Sequence, residues 1–499
     1  LKERRKYDDR KQPVSIYETD IAKWKSGEEL VEFMKETGYT HVEFKPVMEY
    51  LEESTEGYST SSYYAPTSRF GTPEKFQKTV NLLHQAGVGV ILDWTPAQFP
   101  RFEGGLEKFD GTPLYEVPDE NCAVHPMWGT MLYNYGSPMV RDFLIANACF
   151  WAEVYHVDGF RMDDVDAMLY LDYGRNMGEW KPNLYGTNEN LYAVEFLKHL
   201  NSIMKKRNPG VILIAQEDGL WPELTDSVEN DHLGFDYKWS GGWTRDFLEY
   251  LASEPERRKN IHDQLTLSTL YAYSEHYILT LGSRDVGTLD EFRSKIWGNE
   301  KQKEAEIRAA YGYMTLHPGC KMSSPDKDMP KELKEYIRDL NTLYKEQASL
   351  WKKDDDYEGL EWIQLMKYEE NVLTFLRKTE NPEETLLAVC NFSEAPYENY
   401  QVGVPYAGKY KEIFNSDLKK YGGDGVGNPR VKTAKQQEWD ERPYSIKMKL
   451  PALGILVFSV TPQEEAKRAS GRKVSEKSVS RQRDSIKNTA EKKTRRTKK

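Results

Sequence analysis

The hydrophobic pattern of the chain changes its period once. Between residues 14 and 320, short β-branched or apolar runs alternate with amphipathic stretches in which apolar residues recur every three to four positions. This alternation predicts parallel strands joined by crossover helices. Seven such runs over roughly 300 residues favour a (β/α)8 TIM barrel over an open doubly wound sheet. The predicted strands cover residues 14–18, 40–47, 88–94, 159–163, 211–215, 235–239 and 277–281.

The eighth strand of such a barrel is difficult to recognise. After Gly319 the sequence reads CKMSSPDKDMP, which is polar and ends in proline, and an amphipathic helix follows at residues 331–350. We therefore expect an incomplete eighth strand. Either this segment pairs irregularly, or the helix that follows completes the barrel wall.

Beyond the barrel the hydrophobic period becomes two. Alternating runs at residues 360–366, 372–378, 386–391 and 455–460 predict a C-terminal all-β sandwich domain. The last 39 residues hold almost no apolar side chains, and we expect them to be disordered. The predicted organisation is a barrel domain at residues 1–353, a β domain at 354–460 and a basic tail at 461–499.

Charge narrows the possible partners. The chain has a net charge of −11, but residues 461–499 hold 14 Lys and Arg against 5 Asp and Glu, so the tail carries +9 and the rest −20. An acidic body argues against nucleic acid as a ligand, and a solvated tail is favoured over one that binds an acidic partner. No run of 18 apolar residues and no signal segment is present, so we expect no membrane contact and a cytoplasmic location.

Cysteine, histidine and tryptophan give no sign of a cofactor. The four cysteines show no C-x-x-C spacing, which indicates buried or free thiols. His125 and His317 lack a second ligand at metal spacing and are interpreted as structural. We expect no metal and no cofactor. Four tryptophans are interpreted as packing residues, with sugar platforms as the alternative: Trp180, Trp221, Trp243 and Trp351.

Carboxylates follow several predicted strands, where a barrel of this kind carries its chemistry. Asp93 and Asp163 each end an apolar run, and Arg161 lies two residues before Asp163 on the same strand face. The arginine would keep Asp163 ionised, as a nucleophile requires, although a purely structural ion pair is the alternative. Retaining glycosidases need a second carboxyl about 5–5.5 Å away. Only one of Gln216 and Glu217 can face the barrel axis, because side chains alternate along a strand.

Long motifs give the chain a family resemblance from about residue 15 to 460. They include SIYE, THVEFKPVME, YYAPTSRFGTP, GVILDW, FDGTPLYE, MLYLDYGR, GFDYKW, QLTLSTLYAYSE, GYMTLHPG and YGGDGVGN. The chain resembles the bacterial glycogen (1,4-α-glucan) branching enzymes of the α-amylase superfamily. The resemblance implies a (β/α)8 barrel, an all-β C-terminal domain and an activity that cleaves α-1,4-glucan and reattaches the segment through an α-1,6 bond. It also implies an N-terminal carbohydrate-binding module, which we expect to be absent because the chain starts at Leu1.

Only half of the active-site positions implied by the resemblance are retained. Tyr58 matches a tyrosine that stacks on the sugar, Asp93 and Arg161 match substrate-site residues, and Asp163 matches the nucleophile. The other four positions are changed. Gln98 replaces a histidine, Gln216 replaces the acid/base glutamate, and Ser283 and Arg284 replace a His-Asp pair.

The changed residues remove the chemistry that the resemblance implies. The amide of Gln216 does not ionise, so it cannot protonate a leaving oxygen. Arg284 puts a cation where the family has a carboxylate, and we expect it to clamp Asp163 as a bidentate ion pair and to occupy the sugar site. Glu217 is a possible substitute acid, but only if a one-residue bulge turns it inward. Asp285 lies one residue beyond Arg284, as Glu217 lies one residue beyond Gln216, and it could replace the lost carboxylate only through a similar bulge.

These observations favour a branching-enzyme homologue of glycogen metabolism that binds α-1,4-glucan, such as glycogen or amylose, with little or no transferase activity. It would act alone or with an active enzyme of glycogen metabolism. One alternative is an active, retaining 1,4-α-glucan branching enzyme with a rewired acid/base and Asp163 as nucleophile. A further alternative is a non-catalytic scaffold.

Overall fold

Eight parallel strands close into a barrel in this computed structural model, which describes Arg4, residues 11–219 and residues 221–463. Each strand pairs with its neighbours in chain order, and the last strand pairs with the first. The predicted tail disorder concerns residues that lie almost entirely outside the described ones. The strands are β1 (Ser15–Thr19), β2 (His41–Phe44), β3 (Gly89–Trp94), β4 (Gly159–Met162), β5 (Ile212–Ala215), β6 (Tyr237–Trp239), β7 (Tyr277–Leu281) and β8 (Cys320–Ser323).

Helices follow most of the strands and cover the outside of the barrel. The start of the helix Pro73–Gln85 is encoded locally in the sequence. The side chain of Thr72 accepts a hydrogen bond from the amide of Lys75, and Pro73 occupies the first turn. The longer helices are Gly27–Thr37, Pro73–Gln85, Pro138–Val154, Leu191–Arg207, Gly241–Ala252, Glu300–Leu316 and Lys331–Glu346. Shorter ones are Glu120–Ala123, Val165–Leu169, Pro255–Arg258 and Leu289–Lys295.

The prediction of an incomplete eighth strand was wrong. Strand β8 pairs in parallel with both β7 and β1 and closes the barrel. Cys320 and Met322 point into the barrel core, where they join the other inward-facing side chains. The two polar residues that alternate with them are buried but paired: the Lys321 ammonium donates to the carbonyls of His317 and Gly319, and the Ser323 hydroxyl lies 2.6 Å from the Tyr39 hydroxyl. A polar segment can therefore form this strand because its outward side chains find partners under the helices.

The C-terminal region forms a six-stranded antiparallel sheet and a two-stranded one. Apolar side chains from both sheets share one core cluster, which makes this an all-β domain with a sandwich core. The sequence pattern identified four of these strands and missed Gly408–Asn415, Lys432–Thr433 and both strands of the second sheet. The strands are Leu360–Lys367, Val372–Arg377, Leu386–Asn391, Tyr397–Val404, Gly408–Asn415, Lys432–Thr433, Tyr444–Leu450 and Gly454–Pro462.

Two small hairpins stand on the C-terminal side of the barrel and shape the site. One pairs Met48–Tyr50 with Thr60–Pro66, and its loop carries Tyr58. The other pairs Gln98–Phe99 with Met131–Leu132 and places Gln98 in the wall of the same cavity that Tyr58 and Asp163 line. Both hairpins are connections between barrel strands, which is where this fold class carries its binding residues.

Candidate functional site

A cleft of about 720 Å³ opens where the barrel strands end. Its walls come from both hairpin loops and from the residues that follow β4, β5 and β7. The sequence-predicted site residues that line it are Tyr58, Gln98, Asp163, Gln216 and Arg284. The other predicted site residues, which all lie among the described ones, do not line the cleft. Asp93 and Arg161 are buried beneath it, and Glu217 and Ser283 directly neighbour lining residues in the sequence.

Arg161 on β4 is the centre of a buried ionic network. Its side chain is fully buried, and its Nε atom donates to Asp93 Oδ1 at 2.7 Å. Its Nη1 atom donates to Asp163 Oδ1 at 2.9 Å, and Glu43 Oε1 lies 3.2 Å from Nε. The Tyr58 hydroxyl donates to Asp93 Oδ2 at 2.5 Å. Arg161 therefore orients Asp163 toward the cleft as the strand spacing predicts.

The two carboxyls beneath the cleft have opposite pKa shifts. Burial alone would raise the pKa of Asp93, but the charge and the hydrogen bonds of Arg161 lower it. Burial and the neighbouring Asp93 raise the pKa of Glu43 well above its usual range. The guanidinium of Arg161 is thus shared between Asp93 and Asp163, while the shift at Glu43 favours its protonated form.

Arg284 lies across the entrance to this network. Its Nη1 atom is 2.9 Å from Asp163 Oδ1 and donates to Gln216 Oε1 at 3.0 Å. Its guanidinium carbon lies 4.3 Å above the centroid of the Tyr58 ring. The guanidinium points toward Asp163, but the bidentate clamp that we predicted is not formed, since one nitrogen serves both partners. The side chain is only one-third exposed and fills the space over Tyr58.

Gln216 continues β5 and points into the cleft. Its side-chain oxygen accepts hydrogen bonds from two guanidinium groups, those of Arg161 and Arg284. This arrangement suits an amide oxygen, which is neutral and accepts up to two donors. On the opposite wall, the Thr130 hydroxyl donates to the Gln98 side-chain oxygen. Both glutamines are therefore held by neighbours in the orientation in which they face the cleft.

Glu217 and Ser283 face away from the cleft. Glu217 forms an ion pair with Lys238 on β6, and burial together with a hydrogen bond to Asp166 raises the pKa of Glu217 to about 7. The bulge that would turn it inward is not seen: β5 pairs with β4 in unbroken register up to Ala215, and the next residue, Gln216, is the one that lines the cleft. The Ser283 amide donates to Glu18 Oε2 at 2.6 Å. Asp285 likewise turns back and accepts from the Gly282 amide at 3.0 Å.

Trp128 and Asp164, for which the sequence pattern predicts no role, also line the cleft. Trp128 is 43% exposed, and Asp164 directly follows the predicted nucleophile. Burial and the nearby Asp163 raise the pKa of Asp164 to about 8. Asp164 has φ 58°, in the left-handed region, where Asp and Asn occur more readily than other non-glycine residues. The two consecutive aspartates after β4 were the sequence signal for Asp164. Strict alternation of side chains along an extended strand predicts that Asp164 points away from Asp163, and the left-handed backbone breaks that alternation.

The described residues contain no group of three or more His, Cys, Asp or Glu side chains arranged to hold a metal ion. None of the helices within residues 11–219 and 221–463 has the length and apolar character needed to cross a membrane.

The barrel, the strand-end cleft and the C-terminal sheets define an α-amylase-type protein. Residues 362–461 match the family model described as "Alpha amylase, C-terminal all-beta domain". The fold is shared with an α-amylase from Geobacillus thermoleovorans solved with acarbose, at a TM-score of 0.64 and 14% identity, covering 92% of this chain and 100% of that one. An Anoxybacillus α-amylase aligns with a TM-score of 0.62 and 13% identity over 92% of this chain and 99% of that one.

Sequence similarity gives the particular family. The chain is 41% identical to the 1,4-alpha-glucan branching enzyme GlgB of Thermobifida fusca over 92% of its own length, and it spans 66% of that protein. It is 39% identical to the GlgB proteins of Halothermothrix orenii and Marinobacter nauticus, covering 89% and 92% of this chain and 76% and 78% of those proteins. The chain belongs to the GlgB-type 1,4-alpha-glucan branching enzyme family.

Proposed function

We propose that this chain binds α-1,4-glucan in the strand-end cleft and has little or no branching transferase activity. Its relatives carry the name of 1,4-alpha-glucan branching enzymes, and the cleft keeps Tyr58 and Asp163 at its surface. A cytoplasmic location and an active enzyme of glycogen metabolism as partner are parts of the same proposal.

The position of Arg284 is the observation that carries the proposal. A retaining transfer requires the Asp163 carboxylate to attack the anomeric carbon while an acid protonates the departing oxygen. Arg284 Nη1 lies 2.9 Å from Asp163 Oδ1 and its guanidinium covers Tyr58, so a cation offsets the charge of the carboxylate and the sugar position is filled. Gln216 holds no proton that it can release. The nucleophile and the acid are thus disabled together.

A branching assay on amylose tests this proposal. New α-1,6 linkages are followed by proton NMR for the wild-type chain and for a Gln216→Glu, Arg284→Asp double variant. We expect no new linkages from the wild type and measurable branching from the double variant. The matched control combines Gln216→Glu with Arg245→Asp, because Arg245 is 76% exposed on a helix outside the cleft. Branching by the wild-type chain would contradict the proposal.

Glucan binding is measured separately, by retardation in native gels that contain glycogen or amylopectin. We expect the wild-type chain to be slowed by both polysaccharides. Migration unchanged by either one would favour the scaffold alternative, in which the barrel has lost its ligand as well as its chemistry.

A second candidate function is an active branching enzyme with a rewired acid/base. Asp164 favours it, because this carboxyl lines the cleft beside Asp163 and its pKa of about 8 keeps it protonated at neutral pH. If wild-type branching is observed, Asp164→Asn should abolish it while leaving glucan retardation intact. Glu217→Gln serves as the control, since the Lys238 ion pair turns Glu217 away from the cleft.

A further inference from the structure

Trp128 presents one free aromatic face to the cleft. Its other face is stacked on the His125 ring, with the two centroids 4.0 Å apart and the planes 11° from parallel. The indole is 43% exposed although its rear face is covered, and it lines the same cleft as Tyr58 and Asp163. A flat ring that is packed behind and open in front is a platform for the apolar face of another ring.

His125 holds this platform in place. Its side chain is 1% exposed, and its Nδ1 atom accepts hydrogen bonds from the amides of Met127 at 3.2 Å and Trp128 at 3.4 Å. Burial lowers the pKa of His125 to about 4, so the ring is neutral at pH 7. Because Nδ1 is an acceptor, the proton is assigned to Nε2. The imidazole thus fixes both the backbone and the indole of Trp128.

The assigned proton of His125 points at Asp164. Asp164 Oδ2 lies 3.8 Å from His125 Nε2, and neither atom has a hydrogen-bond partner among the described residues. Asp164 and Trp128 are therefore neighbours, since both contact one imidazole. The carboxyl lines the cleft at the edge of the platform, where a neutral carboxyl can both donate to and accept from a hydroxyl.

We propose that Trp128 and Asp164 form a pyranose-binding subsite of the glucan cleft, in which the sugar ring stacks on the indole and one of its hydroxyls bonds to the Asp164 carboxyl. This inference rests on the proposed glucan-binding function and assigns one of its sugar-binding positions to Trp128 and Asp164. Trp128 is packed on His125, whereas Arg284 contacts Tyr58, Asp163 and Gln216. The subsite and Arg284 therefore use different side chains of the cleft. A glucan can therefore bind here while Arg284 stays in place.

Calorimetric titration with maltoheptaose at pH 7 tests the subsite. We expect Trp128→Ala to weaken binding about tenfold and Trp128→Phe, which keeps an aromatic face, to recover most of the loss. Asp164→Gly removes the carboxyl but adopts the left-handed backbone freely, so it should weaken binding about fivefold through the lost hydrogen bond. Unchanged binding by Asp164→Gly would remove this carboxyl from the subsite. The matched control is Trp439→Ala, a change at a residue 40% exposed in the C-terminal domain, which should bind as the wild type does.

The outcomes separate the subsite from the function on which it rests. If wild type and Trp128→Ala bind maltoheptaose equally, the subsite is wrong while glucan binding stands. If Trp128→Phe is as weak as Trp128→Ala, stacking is not the interaction. If the wild type binds neither maltoheptaose nor glycogen, the proposed function itself fails. Equal thermal melting temperatures of the variants show that a lost affinity does not come from unfolding.

Discussion

At the residue scale, the substitutions at positions 216 and 284 are coupled. The Gln216 side-chain oxygen accepts from the guanidinium groups of both Arg161 and Arg284. A glutamate at that position would lie between two cations, which favour its charged form and lower its pKa. It would then be a carboxylate at neutral pH and a poor proton donor. Restoring the acid alone therefore does not restore the chemistry.

We predict a strongly non-additive double-mutant cycle for branching. Gln216→Glu alone and Arg284→Asp alone should each give no detectable α-1,6 linkages, because one lacks a protonated acid and the other lacks any acid. The pair should gain roughly 10²–10⁴-fold over either single variant, the usual worth of general acid catalysis. Initial branching rates on amylose measure the cycle. A Gln216→Glu variant as active as the double variant would show that Arg284 does not control the acid.

Some site residues could be predicted because they obey strand geometry. Arg161 and Asp163 share a strand face by their spacing of two, and the structure places them 2.9 Å apart. Trp128 and Asp164 could not be found in this way. Trp128 depends on a loop folded back onto His125, and Asp164 depends on a left-handed φ of 58°. Neither conformation follows from hydrophobic periodicity.

At the element scale, β8 shows where pattern recognition fails. Strands β3 and β5 could be predicted from the continuous apolar runs VGVIL and VILIA, because both faces of such a strand are buried. In β8 every second residue is polar, and Lys321 is buried because it can donate to the carbonyls of His317 and Gly319. Such hydrogen-bond partners are supplied by the tertiary structure, and the hydrophobic pattern of the sequence does not reveal them. The strand therefore forms because of its pairing with β1 and β7 and the partners of its polar side chains, not because of its own four-residue pattern.

Met322 provides a test of the closed barrel. Its side chain is fully buried inside the barrel, and replacing it with Ala leaves a cavity there. We expect Met322→Ala to lower the free energy of unfolding by about 2–5 kcal/mol. Met366→Ala makes the same change at a residue that is 73% exposed, and its effect should stay within about 0.5 kcal/mol. Urea denaturation measures both. Equal effects would place Met322 outside the core and leave the barrel open at β8.

At the scale of the whole molecule, Arg258 joins the barrel to the C-terminal sheets. Its Nη1 atom donates to the carbonyl of Phe392, at the end of strand Leu386–Asn391, at 3.0 Å and lies 2.7 Å from Glu306 Oε1. Both charged side chains are 1% exposed. Burial raises the pKa of Glu306 to about 7, although Arg258 opposes that shift. Arg258 therefore links a buried ion pair within the barrel domain to a backbone carbonyl of the C-terminal sheets, beside an apolar core that both regions share.

We predict that Arg258→Ala destabilises the molecule by about 3–5 kcal/mol, because it leaves a buried carboxyl and several carbonyls without their donor. The loss should be larger at pH 8 than at pH 5. A buried carboxyl with a raised pKa makes the folded state bind more protons than the unfolded state, so stability falls as pH rises, and removing the cation extends that fall to higher pH. Urea denaturation at both pH values measures this difference, with Arg257→Ala as the control because Arg257 is 63% exposed. A pH-independent loss would mean that the ionisation of Glu306 plays no part and that the lost hydrogen bonds to the carbonyls account for the whole destabilisation.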